Sequence, residues 1–134
     1  MCRPGPGHRA PPLLEADGTT VLFGADTRRI PEFDEIAQRF PDIGLALMPI
    51  NGLTSRPQGS RQEVMDAAQA AELTALLRPT LAVPIHYAPT SGAIGDRILV
   101  KLDRNHPKHY KDAVGDLAPD TGVHILPTGQ VLTL

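Results

Sequence analysis

The chain has 134 residues, of which 41% are hydrophobic and 21% charged, with a formal net charge of −2; these values are typical of one soluble globular domain. Acidic and basic residues are mixed along the sequence, so charge indicates neither a nucleic-acid groove nor an anionic membrane surface. The one cysteine, Cys2, excludes an intrachain disulfide, and no apolar run approaches the roughly 18 residues of a membrane span. We therefore expect a cytoplasmic protein with neither nucleic acid nor a membrane as its partner.

Residues 1–12 are rich in proline and glycine and lack the hydrophobic segment of a secretory signal. Proline restricts the backbone and removes a hydrogen-bond donor, so this stretch cannot form a helix or a central strand. We expect residues 1–12 to be a proline-rich loop or tail. Residues 13–134 are then expected to form the folded domain.

The first half of this domain alternates between strand and helix patterns. Residues 13–15 and 19–23 favour strands, and the Asp-Gly pair between them is a strong hairpin signal. Pro31 suits the first position of a helix, and Pro41 ends it. The apolar positions of this helix recur at helical spacing and are Phe33, Ile36, Ala37 and Phe40.

The second half continues the alternation. Residues 43–50 predict a buried strand and residues 51–60 a loop. Residues 61–78, rich in alanine and leucine, predict a long helix that Pro79 ends. The remaining predicted elements are a strand over 80–85, a short helix around 108–114, and a closing hairpin of residues 123–126 and 130–134.

Three polar side chains follow the ends of the predicted strands. Strands joined through helices run parallel, so Asp26, Asn51 and His86 are expected at one edge of the sheet. Open α/β sheets bind ligands at this edge, and a carboxylate with an imidazole can bind zinc or iron. We expect the ligating atoms of Asp26 and His86 to lie on the order of 4–6 Å apart.

Asp26, His86 and the neighbouring Tyr87 also have interpretations without a metal. Asp26 could stabilise a turn or cap a helix, and His86 could be a hydrogen-bonded core histidine. Tyr87 could donate to a substrate or pack over the end of its strand. No glycine-rich nucleotide motif is present. Four further residues could in principle bind a metal or act in catalysis, but their sequence surroundings favour a solvated or structural role. They are His106, His109, His124 and Cys2.

Four short motifs occur in the order and spacing of a known hydrolase family. They are Gly24-Ala25-Asp26-Thr27, residues 46–52 (ALMPING), residues 65–72 (MDAAQAAE) and Pro84-Ile85-His86-Tyr87. With these motifs, the chain resembles the carboxyl-terminal half of metallo-β-lactamase-fold hydrolases from about Leu13 to its end. It is most similar to the branch that contains ascorbate-phosphate lactonase-like and phospholipase D-like enzymes.

The resemblance implies a catalytic metal centre. Asp26 would bridge two ions and His86 would bind the second of them. The implied cofactor is one or two zinc ions, with iron or manganese as alternatives. Metal-bound hydroxide would cleave a small-molecule ester, lactone or phosphodiester. We expect Tyr87 and Asn51 to contact this substrate.

The sequence departs from the family pattern in three ways. The His-x-His-x-Asp-His motif of the family's amino-terminal half is absent, and Ala25 is inserted into the usual Gly-Asp-Thr. His8 lies in a region similar to that of a further family histidine and is a candidate third ligand. Because two or three ligands cannot hold two metal ions, we expect this chain alone to bind metal weakly.

We therefore predict an α/β fold, half of an αββα metallo-β-lactamase sandwich, in the order β-hairpin, β-α-β-α-β and closing hairpin. The predicted function is that of a metal-dependent hydrolase in truncated form. The alternatives are a non-catalytic fragment of such a hydrolase and a receiver-like α/β module. A missing amino-terminal half or a homo-oligomer would complete the domain. Without it, one apolar sheet face should be incompletely covered, with side chains from Leu22, Leu45, Leu47 or Val83.

Overall fold

The computed structural model describes residues 12–55, 57, 59–87, 100–101 and 106–134. The helices of this part are α1 (Glu32–Arg39), α2 (Ala67–Leu77) and α3 (Pro107–Leu117). Its strands are β1 (Leu13–Ala16), β2 (Thr19–Phe23), β3 (Ile43–Pro49), β4 (Thr54–Ser55), β5 (Arg61–Gln62), β6 (Leu81–Ile85), β7 (Val100–Lys101) and β8 (Gly122–Val123). Of the predicted tail over residues 1–12, residues 1–11, with Cys2 and His8, lie outside the described residues.

Parallel pairing dominates the main sheet, whose five strands have the order β1-β2-β3-β6-β8. Strands β5, β4 and β7 form a second, small sheet. The hairpin of β1 and β2 turns at Asp17 and Gly18, whose φ angles of 49° and 77° suit a tight hairpin turn. The pairs β2–β3, β3–β6 and β6–β8 are parallel. The predicted α/β class and the order hairpin, helix, strand, helix, strand are thus confirmed.

Helix α2 begins later than the sequence predicts. Its start was expected at Arg61, but Arg61 and Gln62 form β5 and the helix begins at Ala67. Asp66 accepts a hydrogen bond from the Gln69 backbone at 2.8 Å, and the Gln69 side chain accepts one from the Asp66 backbone at 3.1 Å. This capping box satisfies amide groups that a helix start leaves unpaired, and so sets the start.

The predicted closing hairpin is wrong. Strand β8 contains only Gly122 and Val123 and pairs parallel with β6, and residues 124–134 form no strand. His124 therefore follows a strand instead of lying within one, and it is exposed. The short helix predicted around 108–114 is confirmed as α3. His106 is its N-cap, since Nδ1 accepts from the Lys108 backbone amide at 3.2 Å, and exposed His109 lies in its first turn instead of in a loop.

All three helices contribute to one hydrophobic core on one face of the main sheet. Side chains from the strands and from α1, α2 and α3 meet there, among them Leu22, Phe33, Met48, Leu73 and Tyr110, each with 0% exposure. Three of the buried residues of α2 are alanines, namely Ala67, Ala70 and Ala71. None of the helices in the described part of the chain is both long and apolar enough to cross a membrane.

The opposite face of the sheet is covered unevenly. Leu45 and Val83 are buried, Leu47 is half-buried, and Phe23 is 38% exposed. The expectation that Leu22 would lie on this face is wrong, because Leu22 belongs to the helix-covered core. After β8 the chain continues beside β6, where the His124 backbone amide donates to the Ala82 carbonyl at 3.0 Å.

A buried hydrogen bond joins α2 to α3. The Tyr110 and Thr74 hydroxyl oxygens are 2.7 Å apart, and Thr74 Oγ1 also donates to the Ala70 carbonyl at 2.8 Å. Because the Thr74 proton is used in this way, Tyr110 is the donor between the two hydroxyls. Burial raises the pKa of Tyr110 to about 12, and the hydrogen bond to Thr74 offsets part of that rise.

Stability is expected to fall as the pH rises from about 10 to about 12. The pKa of Tyr110 is about 12 in the folded chain and 10.0 in its ordinary state, so the unfolded chain loses this proton first. Its loss favours unfolding by an amount on the order of 2 kcal/mol. Urea denaturation followed by circular dichroism across this range measures the effect.

Tyr110→Phe is the matched comparison. The variant should lose about 1 kcal/mol at neutral pH, because one buried hydrogen bond is removed. The free energy of unfolding of the variant should also change much less between pH 10 and 12 than that of the parent chain. A Tyr110→Phe variant whose stability falls between pH 10 and 12 as steeply as the parent's would contradict this assignment.

Candidate metal centre

Asp26 and His86 meet at the carboxyl-end edge of the parallel strands. Asp26 follows β2, His86 follows β6, and β3 lies between these two strands. Asp26 Oδ1 and His86 Nε2 are 3.1 Å apart, with the side chains 64% and 43% exposed. The two atoms are closer than the 4–6 Å expected, because the side chains contact each other directly. The pair is open to solvent and accessible to a ligand.

A close backbone approach positions the Asp26 turn. The Gly24 amide donates to the Leu47 carbonyl at 2.8 Å. A Cβ on Gly24 would lie 2.7 Å from that carbonyl oxygen and 2.6 Å from Pro49 Cδ, so only glycine fits. Ala25 follows with a φ of 49°, in the left-handed region. The inserted alanine thus forms the bend that turns Asp26 toward β6.

Thr27 closes the same turn. Its hydroxyl donates to the Gly24 carbonyl at 2.8 Å. Its own carbonyl accepts from the Met65 backbone amide at 3.1 Å, which ties the turn to the residues before α2. Sequence reasoning assigned no role to Thr27, because a short side-chain-to-backbone hydrogen bond leaves no periodic signal.

Asn51 holds the ring of His86 from the buried side. His86 has a φ of 60°, a left-handed conformation that costs energy for a residue with a Cβ. The Asn51 Nδ2 and His86 Nδ1 atoms are 2.8 Å apart, and Asn51 Oδ1 accepts from the Leu53 amide at 2.9 Å. Asn51, which was expected to contact substrate, exposes only 2% of its surface.

The donor set of this pair is compatible with one divalent ion. Carboxylate oxygen and imidazole nitrogen are zinc ligands, and two ligands bound at about 2.0–2.2 Å lie roughly 3–3.5 Å apart. The Asp26–His86 separation of 3.1 Å falls in that range. Among the residues that the structure describes, no third His, Cys, Asp or Glu joins them in a metal-binding group. The candidate third ligand, His8, lies outside those residues.

A cavity of about 370 Å³ begins at His86 and extends along β6. Val83, Ile85 and Leu126 supply apolar walls, and Thr128 lines it as well. Tyr87 lines the same cavity, and its hydroxyl is 3.5 Å from the Leu126 carbonyl, a weak contact. The ring of Tyr87 also packs against the core, which agrees with the interpretation that it packs over the end of its strand, while donation to a substrate stays a prediction.

Comparisons with known proteins identify the family of the chain. The sequence profile of the β-lactamase superfamily domain matches residues 8–87. The chain belongs to this superfamily. A UPF0173 metal-dependent hydrolase of Thermococcus onnurineus is 29% identical over 122 residues, which cover 91% of this chain and 45% of that protein. The receiver-like alternative is thereby excluded.

Solved structures show the fold. Igni18, a metallo hydrolase of Ignicoccus hospitalis, matches with a TM-score of 0.65 and 27% identity, over 88% of this chain and 42% of that one. YhfI of Bacillus subtilis, a metallo-β-lactamase fold protein, matches with a TM-score of 0.55 and 16% identity, over 86% and 40%. The chain therefore has the fold of part of a metallo-β-lactamase domain, and it spans less than half the length of the relatives it matches.

Gly24→Ala should destabilise the chain and displace Asp26. The added methyl group meets a backbone oxygen and a proline ring, neither of which can move freely, so we expect a cost of about 1–3 kcal/mol. Gly115→Ala is the matched control, because nothing lies within 4 Å of its Cβ position and it lies in α3. This control should stabilise the chain by about 0.5–1 kcal/mol. Equal effects of both variants in chemical denaturation would refute the close-approach argument.

Proposed function

We propose that this chain contributes two metal ligands, Asp26 and His86, to a metal-dependent hydrolase that cleaves an ester, a lactone or a phosphodiester. The 3.1 Å contact between their ligating atoms at the ligand-binding edge of the sheet carries the proposal. Membership of the superfamily and the hydrolase relatives support it. A carboxylate and an imidazole favour zinc, with iron or manganese as alternatives.

A bound divalent ion would lower the pKa of water to about 7 and so supply hydroxide at neutral pH. The chain's own part is to hold the ligands in place. Gly24 and Thr27 fix the turn that carries Asp26, while Asn51 holds the imidazole of His86. Because both ligand side chains are partly exposed at the rim, a substrate can approach them from solvent.

The cavity beside His86 is the proposed substrate subsite. Its walls are mostly apolar side chains of β6 and of the segment after β8. Tyr87 and Thr128 bring hydroxyl groups to the same cavity, which could orient a polar substrate group. The arrangement suits a small molecule with an apolar part that lies along β6 while its reactive group faces Asp26 and His86.

A second candidate is a chain that folds and binds metal weakly but does not catalyse on its own. The observation that favours it is the ligand count: the described residues bring together only Asp26 and His86. A catalytic zinc ion usually has three protein ligands. We propose that the remaining ligands come from His8 or from a segment equivalent to the half of the relatives that this chain does not match.

Removal of either ligand should weaken zinc binding. For Asp26→Ala and His86→Ala we expect the dissociation constant to rise by more than about tenfold, or ~1.4 kcal/mol. His109→Ala is the matched control, because this histidine is exposed on α3. Isothermal titration with zinc measures the change. If His109→Ala lowers affinity as much as His86→Ala does, the binding is nonspecific and the assigned site is wrong.

Hydrolytic activity should depend on the half of the relatives that this chain does not match. Alone, the chain should hold less than one zinc ion per molecule and show at most trace esterase or phosphodiesterase activity. Co-expression with the part of the Thermococcus onnurineus relative that the match leaves uncovered should raise metal content and turnover. Asp26→Ala should abolish that gain. Full metal loading and rapid turnover by the unaccompanied chain would overturn the ligand count and make His8 the first residue to replace.

A further inference from the structure

Three hydrogen bonds run in one direction from a backbone amide to Asp26. The first fixes the orientation of the Asn51 side chain. The Leu53 amide lies 2.9 Å from Asn51 Oδ1, and a backbone N–H can only donate, so the atom that faces it must be oxygen. The amide nitrogen of Asn51 therefore faces His86 Nδ1, at 2.8 Å.

This orientation selects one tautomer of His86. Because Asn51 Nδ2 donates, Nδ1 of the neutral imidazole must accept, and the ring proton is then on Nε2. The Nε2 atom is 3.1 Å from Asp26 Oδ1, so this proton is directed at the carboxylate. Burial of Asn51, with 2% of its surface exposed, keeps water from competing for either end of its amide.

We propose that Asn51 is a positioning residue that sets the tautomer of His86 and thereby limits how strongly the site binds a metal ion. The metal part of this inference rests on the proposed function, since it takes Nε2 as the ligating atom. Coordination through Nε2 requires its lone pair, so the proton must move to Nδ1. There it faces the amide nitrogen of Asn51, which is also a donor.

Turning the Asn51 amide does not remove the conflict. With Oδ1 toward His86, the amide nitrogen faces the Leu53 N–H, and two donors again oppose each other. Either orientation leaves one unfavourable pair, so asparagine opposes metal ligation by His86. An aspartate would resolve this, because its two oxygens accept from Leu53 N–H and from Nδ1–H together. Histidine ligands commonly donate their second N–H to a carboxylate, and such partners change metal affinity about 10–100-fold.

The tautomer can be measured without any metal. Heteronuclear NMR of the imidazole nitrogens distinguishes the two neutral forms, and the signals of His86 are those that disappear in His86→Ala. For the neutral imidazole of the metal-free chain we expect the His86 proton on Nε2. Asn51→Asp should place a proton on Nδ1, facing the new buried carboxylate, even though Asp26 still faces Nε2. A loss of general structural support would not produce this change.

Zinc titration provides the second measurement. Asn51→Asp should lower the zinc dissociation constant by about tenfold. Gln38→Glu is the matched control, because it makes the same amide-to-carboxylate change at an exposed position on α1. This control should leave both the tautomer and the affinity unchanged, which separates the local effect from the added negative charge.

The outcomes separate the two proposals. A proton on Nδ1 in the parent chain, or a tautomer that Asn51→Asp leaves unchanged, would overturn the role given to Asn51. A shifted tautomer without zinc binding by either protein would support that role and overturn the metal site instead. If Asn51→Asp does not fold, the spectrum of the parent chain still decides the tautomer.

Discussion

Parallel pairing of β3 with both of its neighbours is the constraint on which the rest of this structure depends. Leu47 pairs with Phe23 on one side and with Val83 on the other, and Pro49 pairs with Ile85. These registers bring the ends of β2, β3 and β6 to the same level at one edge. Asp26, Asn51 and His86 then follow those ends within three residues. A slip of one residue in either pairing would separate the carboxylate from the imidazole.

Local signals were sufficient to predict much of the architecture from the sequence. Each of these signals acts over a few residues, so the element it forms can be predicted from the sequence alone. They are the Asp-Gly turn, the apolar run from Ile43 and the prolines that flank α1. The same strand-end argument predicts that Asp26 and His86 lie at one edge of the sheet, where the structure has them. The predicted secondary structure was correct where an element depends only on interactions between residues close together in the sequence.

The predictions that failed depended on contacts between distant segments or on competing local bonds. Val123 favours a strand, but its partner is Ala82 of β6 instead of residues further along the chain. The start of α2 was misplaced because the Asp66–Gln69 capping box outweighs the helical composition upstream. The contact of Asn51 with His86 joins residues 35 positions apart, and nothing in local composition indicates which way an amide points.

The left-handed backbone of His86 also bears on how this chain would change under mutation. A φ of 60° suits glycine or asparagine better than histidine. Random substitution without selection on the imidazole should therefore favour replacements at this position that relax the backbone. Histidine can persist there only if its ring gives an advantage that exceeds the conformational cost. If histidine is retained at position 86 in sequences from related strains, the imidazole is therefore under selection. Its frequent replacement there would indicate that the site has lost its function.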